Sequence, residues 1–186
     1  ALSLWGGAEA PPAKAEAPAA APAVSAPAQS AAGAMTVSQV VNAVSDSVVA
    51  INTEVQTTNF FMQQVTGQAA GSGVIISQDG YLLTNNHVIE NATKVSVTLK
   101  NGESYDAALV GTDPETDLAV IKIDAGGLQA AVIGSSSALQ VGDETIAIGN
   151  PLGELGGTVT NGIVSALNRE VTIDDRSMNL LQTNAA

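Results

Sequence analysis

The 186-residue sequence holds one histidine, His87, and no cysteine. An imidazole titrates near neutral pH, which makes it the usual general base. His87 lies in Thr84-Asn85-Asn86-His87-Val88, just after the apolar run Tyr81-Leu82-Leu83. Taken alone, a single histidine is more often structural or on the surface than catalytic. Asp117 alters that balance. It heads the apolar run Leu118-Ala119-Val120-Ile121-Lys122-Ile123, and a carboxylate at the mouth of a buried strand is costly unless something pairs with it. A histidine oriented by an aspartate is the base of nucleophilic acyl transfer. The acid fixes the ring tautomer and stabilises the imidazolium that forms. Asp113 and Glu115 are rival acids, but Gly111-Thr112-Asp113-Pro114 reads as a turn that leaves them facing solvent.

Other chemistry is harder to place. The absence of cysteine excludes a thiol nucleophile, a disulfide framework and thiolate metal sites. Nothing in the sequence asks for a cofactor or a metal. Asp79 and Asn101 precede glycines in Gln78-Asp79-Gly80 and Asn101-Gly102. They read as hairpin turn residues rather than cation ligands, since no acidic cluster surrounds them. Ser135, Ser136 and Ser137 read as caps of a short helical turn, and Ser165 lies within a strand. Neither place has the glycine-flanked turn in which a nucleophile and an oxyanion hole coexist.

The elements that must position His87 and Asp117 are mostly strands. Apolar residues make up 45% of the chain and 18 residues are glycine. The apolar set is rich in β-branched types, which favours an all-β fold with many turns. A short helix opens the folded part, with Val37, Val40, Val41 and Val44 on one face and Thr36 with Gln39 as a capping box. Strands are expected at Val48–Val55, Ser72–Ser77, Tyr81–Thr84, Val95–Lys100, Ser104–Val110, Leu118–Ile123, Thr145–Ile148 and Thr158–Asn168. Gln56–Gln68 is read as a polar loop carrying Phe60 and Phe61, and Arg169–Met178 as a charged loop between two strands. Residues 1–35 differ: an Ala/Pro-rich run without the bulk to pack a core reads as a linker. Ala1-Leu2-Ser3-Leu4-Trp5 is either the end of an anchor or signal peptide or a frayed terminus. No apolar run is long enough to span a membrane. The net charge of −12, with only six scattered Lys and Arg, excludes a phosphate-backbone partner.

Several blocks in order resemble the HtrA (Deg) proteases. Gly71-Ser72-Gly73-Val74-Ile75-Ile76 through Thr84-Asn85-Asn86-His87-Val88-Ile89 is similar to their histidine region. Asp113-Pro114-Glu115-Thr116-Asp117-Leu118-Ala119-Val120-Ile121-Lys122 is similar to their aspartate strand. Ile148-Gly149-Asn150-Pro151-Leu152-Gly153, Thr158-Val159-Thr160-Asn161-Gly162-Ile163-Val164-Ser165 and Leu181-Gln182-Thr183-Asn184-Ala185-Ala186 complete the likeness. The resemblance implies a chymotrypsin/trypsin-like double β-barrel: residues 36–131 as a complete first barrel and 132–186 as part of a second. It implies an exported endopeptidase of the bacterial cell envelope, membrane-anchored or periplasmic, acting on unfolded or misfolded polypeptides. His87 would be the base and Asp117 its orienting acid. The family's nucleophile sits in Gly-Asn-Ser-Gly-Gly, which would fall roughly six positions beyond Ala186 in the chymotrypsin order of base, acid and nucleophile. That motif does not occur in the sequence. Without that serine and the oxyanion-hole loop around it, the chain is expected to be inactive as it stands; separately, neither end reads as a natural terminus. A homotrimer, and a PDZ domain in the full-length protein, also follow from the resemblance. Arg169–Met178 then matches the family's regulatory loop, or is simply a solvated loop. Phe60 and Phe61 either meet a neighbouring subunit or plug the barrel end. A non-catalytic, chaperone-like binding module on the same fold is the second reading, and a generic β-barrel ligand-binding domain the third.

Overall fold

The computed structural model describes residues 35–58, 64–149, 157–173 and 176–185. The expected linker over residues 1–35 therefore lies almost wholly outside the described residues, as do Phe60 and Phe61. Helix α1 spans Val37–Val44 and starts with the expected capping box. Gln39 N donates to Thr36 Oγ1 at 3.3 Å, and Thr36 N donates to Gln39 Oε1 at 2.8 Å. Two of the amides that a helix start leaves without partners are thereby satisfied.

Six antiparallel strands then close into a barrel in the order β1-β2-β3-β6-β5-β4. They are β1 Val48–Thr58, β2 Gln64–Ile75, β3 Tyr81–Asn85, β4 Ala92–Thr98, β5 Ser104–Asp113 and β6 Leu118–Ile123, with a single-turn helix α2, Asn86–Ile89, after β3. Side chains alternate across each strand. Val49 and Ile51 of β1, Leu82 of β3, Val97 of β4, and Ala119, Ile121 and Ile123 of β6 therefore point inward and are buried. Each such Val, Ile or Leu contributes about 1.5–3 kcal/mol before chain entropy is subtracted. In the polar stretch Gln56–Gln68 the described residues, 56–58 and 64–68, are paired rather than looped, with Val55 opposite Gly67 and Gln56 opposite Thr66. Its polarity reflects an exposed stretch of sheet, not missing structure.

The Asp79-Gly80 turn joins β2 to β3 because Gly80 has φ +96° and its Cα lies against the Ile123 carbonyl, leaving no room for a Cβ. Lys122, on the outer face of β6, clamps the same turn. Its Nζ lies 4.5 Å from the Tyr81 ring centroid and 3.5 Å from Asp79 Oδ2.

A connecting segment runs back along the barrel, with Ala131 N donating to Ile75 O at 2.8 Å. Beyond it lies an open three-stranded sheet, β7 Glu144–Gly149, β8 Thr158–Ile173 and β9 Arg176–Thr183, in that order. All described structure is thus all-β apart from short helical pieces: a closed barrel followed by an incomplete second sheet. Of the expected loop at Arg169–Met178, Asp174 and Asp175 lie outside the described residues, and the rest is a ladder, pairing Glu170 with Asn179, Val171 with Met178 and Thr172 with Ser177. Half-buried Val171 lies between exposed Glu170 and exposed Thr172, so the Glu170 carboxylate occupies the solvent face of a two-stranded ribbon. The helical turn near Ser136–Ala138 forms, but no serine side chain caps it; Ser135 and Ser137 pair their hydroxyls at 2.7 Å instead.

Candidate active site

The barrel's strand register brings the two sequence-predicted residues together. β3 and β6 are antiparallel neighbours with Asn85 opposite Leu118 and Thr84 opposite Ala119. The end of one strand therefore meets the start of the other. His87 sits just past β3, in α2, and Asp117 sits just before β6.

Two devices fix the turn of chain that carries His87. On one side, a Cβ at Gly71 would lie 2.6 Å from Val88 Cγ1, so only glycine lets α2 settle this closely against β2. Ile89 is buried in the barrel core beneath it. On the other side, Asp117 adopts φ +55°, a left-handed conformation uncommon for residues other than glycine. Its main-chain carbonyl accepts from Asn86 N at 3.1 Å and from Asn85 Nδ2 at 3.1 Å. Those bonds offset the backbone strain.

The carboxylate is used at both oxygens. Asp117 Oδ1 accepts from His87 N at 2.9 Å, and Oδ2 meets His87 Nδ1 at 2.7 Å. Asn85 Nδ2 also donates to Oδ2, at 3.2 Å. Partial burial pushes the Asp117 carboxyl up, but the His87 amide, the His87 ring and the Asn85 amide outweigh it and hold the group below the ordinary carboxylate range. The donors around Asp117 thus stabilise its carboxylate, whose side chain is 27% exposed, and the His87 ring beside it is 68% exposed. Among the described residues Nε2 of that ring has no partner. With Asp117 ionised and accepting from Nδ1–H, Nε2 is left as the basic nitrogen.

The rival acids lie elsewhere. Asp113 closes its own turn, accepting from Glu115 N at 3.1 Å and Thr116 Oγ1 at 2.7 Å, and both Asp113 and Glu115 are exposed. Ser165 lies in β8, and no serine among the described residues bonds to His87. Sequence reasoning missed Asn85 as a partner of Asp117 and Gly71 as the seat of Val88. The only signal available was their place in the two blocks flanking His87.

Comparison with known proteins agrees with this architecture. The trypsin-like peptidase domain matches residues 71–186. Periplasmic serine endoprotease DegP of Escherichia coli (strain K12) is 52% identical over 126 residues, covering 67% of this chain and 26% of DegP. Serine protease Do-like HtrB of Bacillus subtilis (strain 168) is 51% identical over 124 residues, covering 62% of this chain and 27% of HtrB. The solved structure of HtrA-type protease AlgW with decapeptide superposes with TM-score 0.69 at 36% identity, covering 81% of this chain and 52% of that one. AlgW with tripeptide gives 0.67 at 42% identity, covering 78% and 44%. The chain thus spans about a quarter of these curated relatives and about half of the solved chains. The closed barrel, the second sheet and these matches together identify the chain as a member of the trypsin-like peptidase family, in its HtrA branch.

Proposed function

We propose that this chain supplies the general base and its orienting acid to a serine endopeptidase of HtrA type. The observation that carries the reading is the 2.7 Å bond from His87 Nδ1 to Asp117 Oδ2, on an exposed ring whose Nε2 has no partner among the described residues. In this role Nε2 takes the proton of a serine hydroxyl as that oxygen attacks the peptide carbonyl, then returns it to the leaving amine. Asp117 stays ionised and stabilises the imidazolium formed between the two steps. A carboxyl held below its ordinary range suits a group that must not take that proton itself. We assign the nucleophile to the family's Gly-Asn-Ser-Gly-Gly pattern, which this sequence does not contain.

The test is a pair of polypeptides given unfolded casein. The 186-residue chain is expected to leave it intact, and the same chain extended through that serine segment to cleave it. In the extended form, His87→Ala and Asp117→Asn are each expected to lower kcat by about 10⁴-fold or more. Cleavage by the shorter chain, blocked by a serine-directed inhibitor, would overturn the assignment of the nucleophile. Undiminished activity of His87→Ala would overturn the base.

Unfolded or misfolded polypeptides outside the cytoplasm are the substrates this reading assigns. It is supported by relatives named periplasmic endoproteases in Escherichia coli and Chlamydia, and by solved relatives holding short peptides. Membrane anchoring, a homotrimeric assembly and a PDZ domain in the full-length protein belong to the same proposal and rest on family resemblance.

A further inference from the structure

Asn85 occupies the N-cap position of α2. An asparagine there ordinarily turns its side chain back to accept from the second or third amide of its own helix. This one makes no such bond. The amide it would have capped, His87 N, is taken instead by Asp117 Oδ1 at 2.9 Å. Asn85 has exchanged roles with Asp117. Its Nδ2 reaches across to donate to the Asp117 carbonyl at 3.1 Å and to Oδ2 at 3.2 Å. An Asn amide nitrogen carries two protons, one for each acceptor, and a carboxamide oxygen could serve neither. The same Oδ2 receives His87 Nδ1. One side chain therefore holds both the left-handed backbone of Asp117 and the oxygen that orients the imidazole.

We propose that Asn85 is a positioning residue of the His87–Asp117 pair, fixing the ring tautomer through Asp117 rather than touching substrate. Aligning Oδ2 with Nδ1–H disfavours the alternative tautomer, in which Nε2 carries the proton and cannot act as a base. This inference rests on the reading of His87 and Asp117 as base and orienting acid.

His87 is the only histidine, so nitrogen-15 NMR of the imidazole in the 186-residue chain reads the tautomer directly. Wild type is expected to show Nδ1 protonated and Nε2 unprotonated in the neutral ring, with a low-field Nδ1–H proton. Asn85→Asp, which replaces the donor by a like charge at nearly equal size, and Asn85→Leu, which removes the donor at similar volume, are each expected to lose that proton signal. Both should show a several-fold rise in the Nε2–H form, while backbone amides of β3 and β6 stay protected from exchange. A wild-type measurement covers the case in which either variant unfolds. The side-chain NH₂ resonances of Asn85 should move as Asp117 titrates, and should stay still over the same pH range in Asp117→Asn. A wild type with mixed tautomers overturns the base-and-acid reading itself. A wild type with one tautomer that both folded variants retain, or with Asn85 resonances blind to Asp117, overturns the role of Asn85 alone.

Discussion

The barrel and the sheet that follows it are built from similar apolar, β-branched sequence, yet they differ sharply in what they bury. The core cluster of ten buried residues lies wholly between Val49 and Ile123. Among the described residues after Ile123, Val164 is the one buried hydrophobic. In the barrel every strand has two neighbours, so inward faces converge and no edge is left open. Among the described residues the sheet has three strands and two open edges, and Ile163 of β8 and Leu181 of β9 remain 41% and 49% exposed. Val132 and Ile133, in the chain leading to it, are 97% and 72% exposed. Apolar composition supplies the material of a core; closure determines whether that material is removed from water. The candidate site follows the same division, since His87, Asp117, Asn85 and Gly71 all belong to the barrel.

The largest expected contrast is in core truncation. Ile121→Ala, at a fully buried barrel position, is expected to cost about 2–5 kcal/mol. Ile163→Ala, at a 41% exposed position in β8, should cost about 0.5 kcal/mol or less. Denaturant unfolding followed by circular dichroism measures both, and equal losses would mean the sheet is as well packed as the barrel. Amide exchange sharpens the same contrast, with β3 and β6 expected to exchange far more slowly than β9.

Gly71→Ala comes next, at about 1–3 kcal/mol, because the new methyl group must push Val88 aside. The same substitution should weaken the low-field Nδ1–H signal of His87. An unchanged signal would show that α2 is held from the Asp117 side alone.

Acid sensitivity should also be concentrated in the barrel. The Asp117 carboxyl is held below its unfolded-state value, so its contribution to stability is complete above about pH 4 and is lost as pH falls through the lower, folded value. Asp79, held down chiefly by the Ser77 hydroxyl, and Asp113, held down chiefly by the Thr116 hydroxyl, shift in the same direction. Asp117→Asn should therefore flatten, without abolishing, the loss of barrel stability below about pH 4; an unaltered acid profile would remove Asp117 from that account. The smallest effect is expected at Thr36→Ala, about 0.5–1 kcal/mol from loss of the α1 cap, read by thermal unfolding.

By itself the sequence determined the all-β class, most of the strands, the α1 cap and the two glycine turns, because period-two alternation and positive-φ residues are local signals. It also singled out His87 and Asp117, one as the sole histidine, the other as a charge that needed a partner. Where it misread the flanks of Gln56–Gln68 and Arg169–Met178, residues 56–58, 64–68, 169–173 and 176–178, strands with polar solvent-facing residues had the composition of loops. Only the tertiary structure decided what those two residues do to each other. The β3–β6 register set their separation, Asp117 took up a left-handed backbone to turn its carboxylate toward the ring, and Asn85 gave up its own helix cap to hold it there. Those are long-range choices, made by residues some thirty positions apart in the chain, and a hydrogen bond across two strands leaves no periodic mark in either of them.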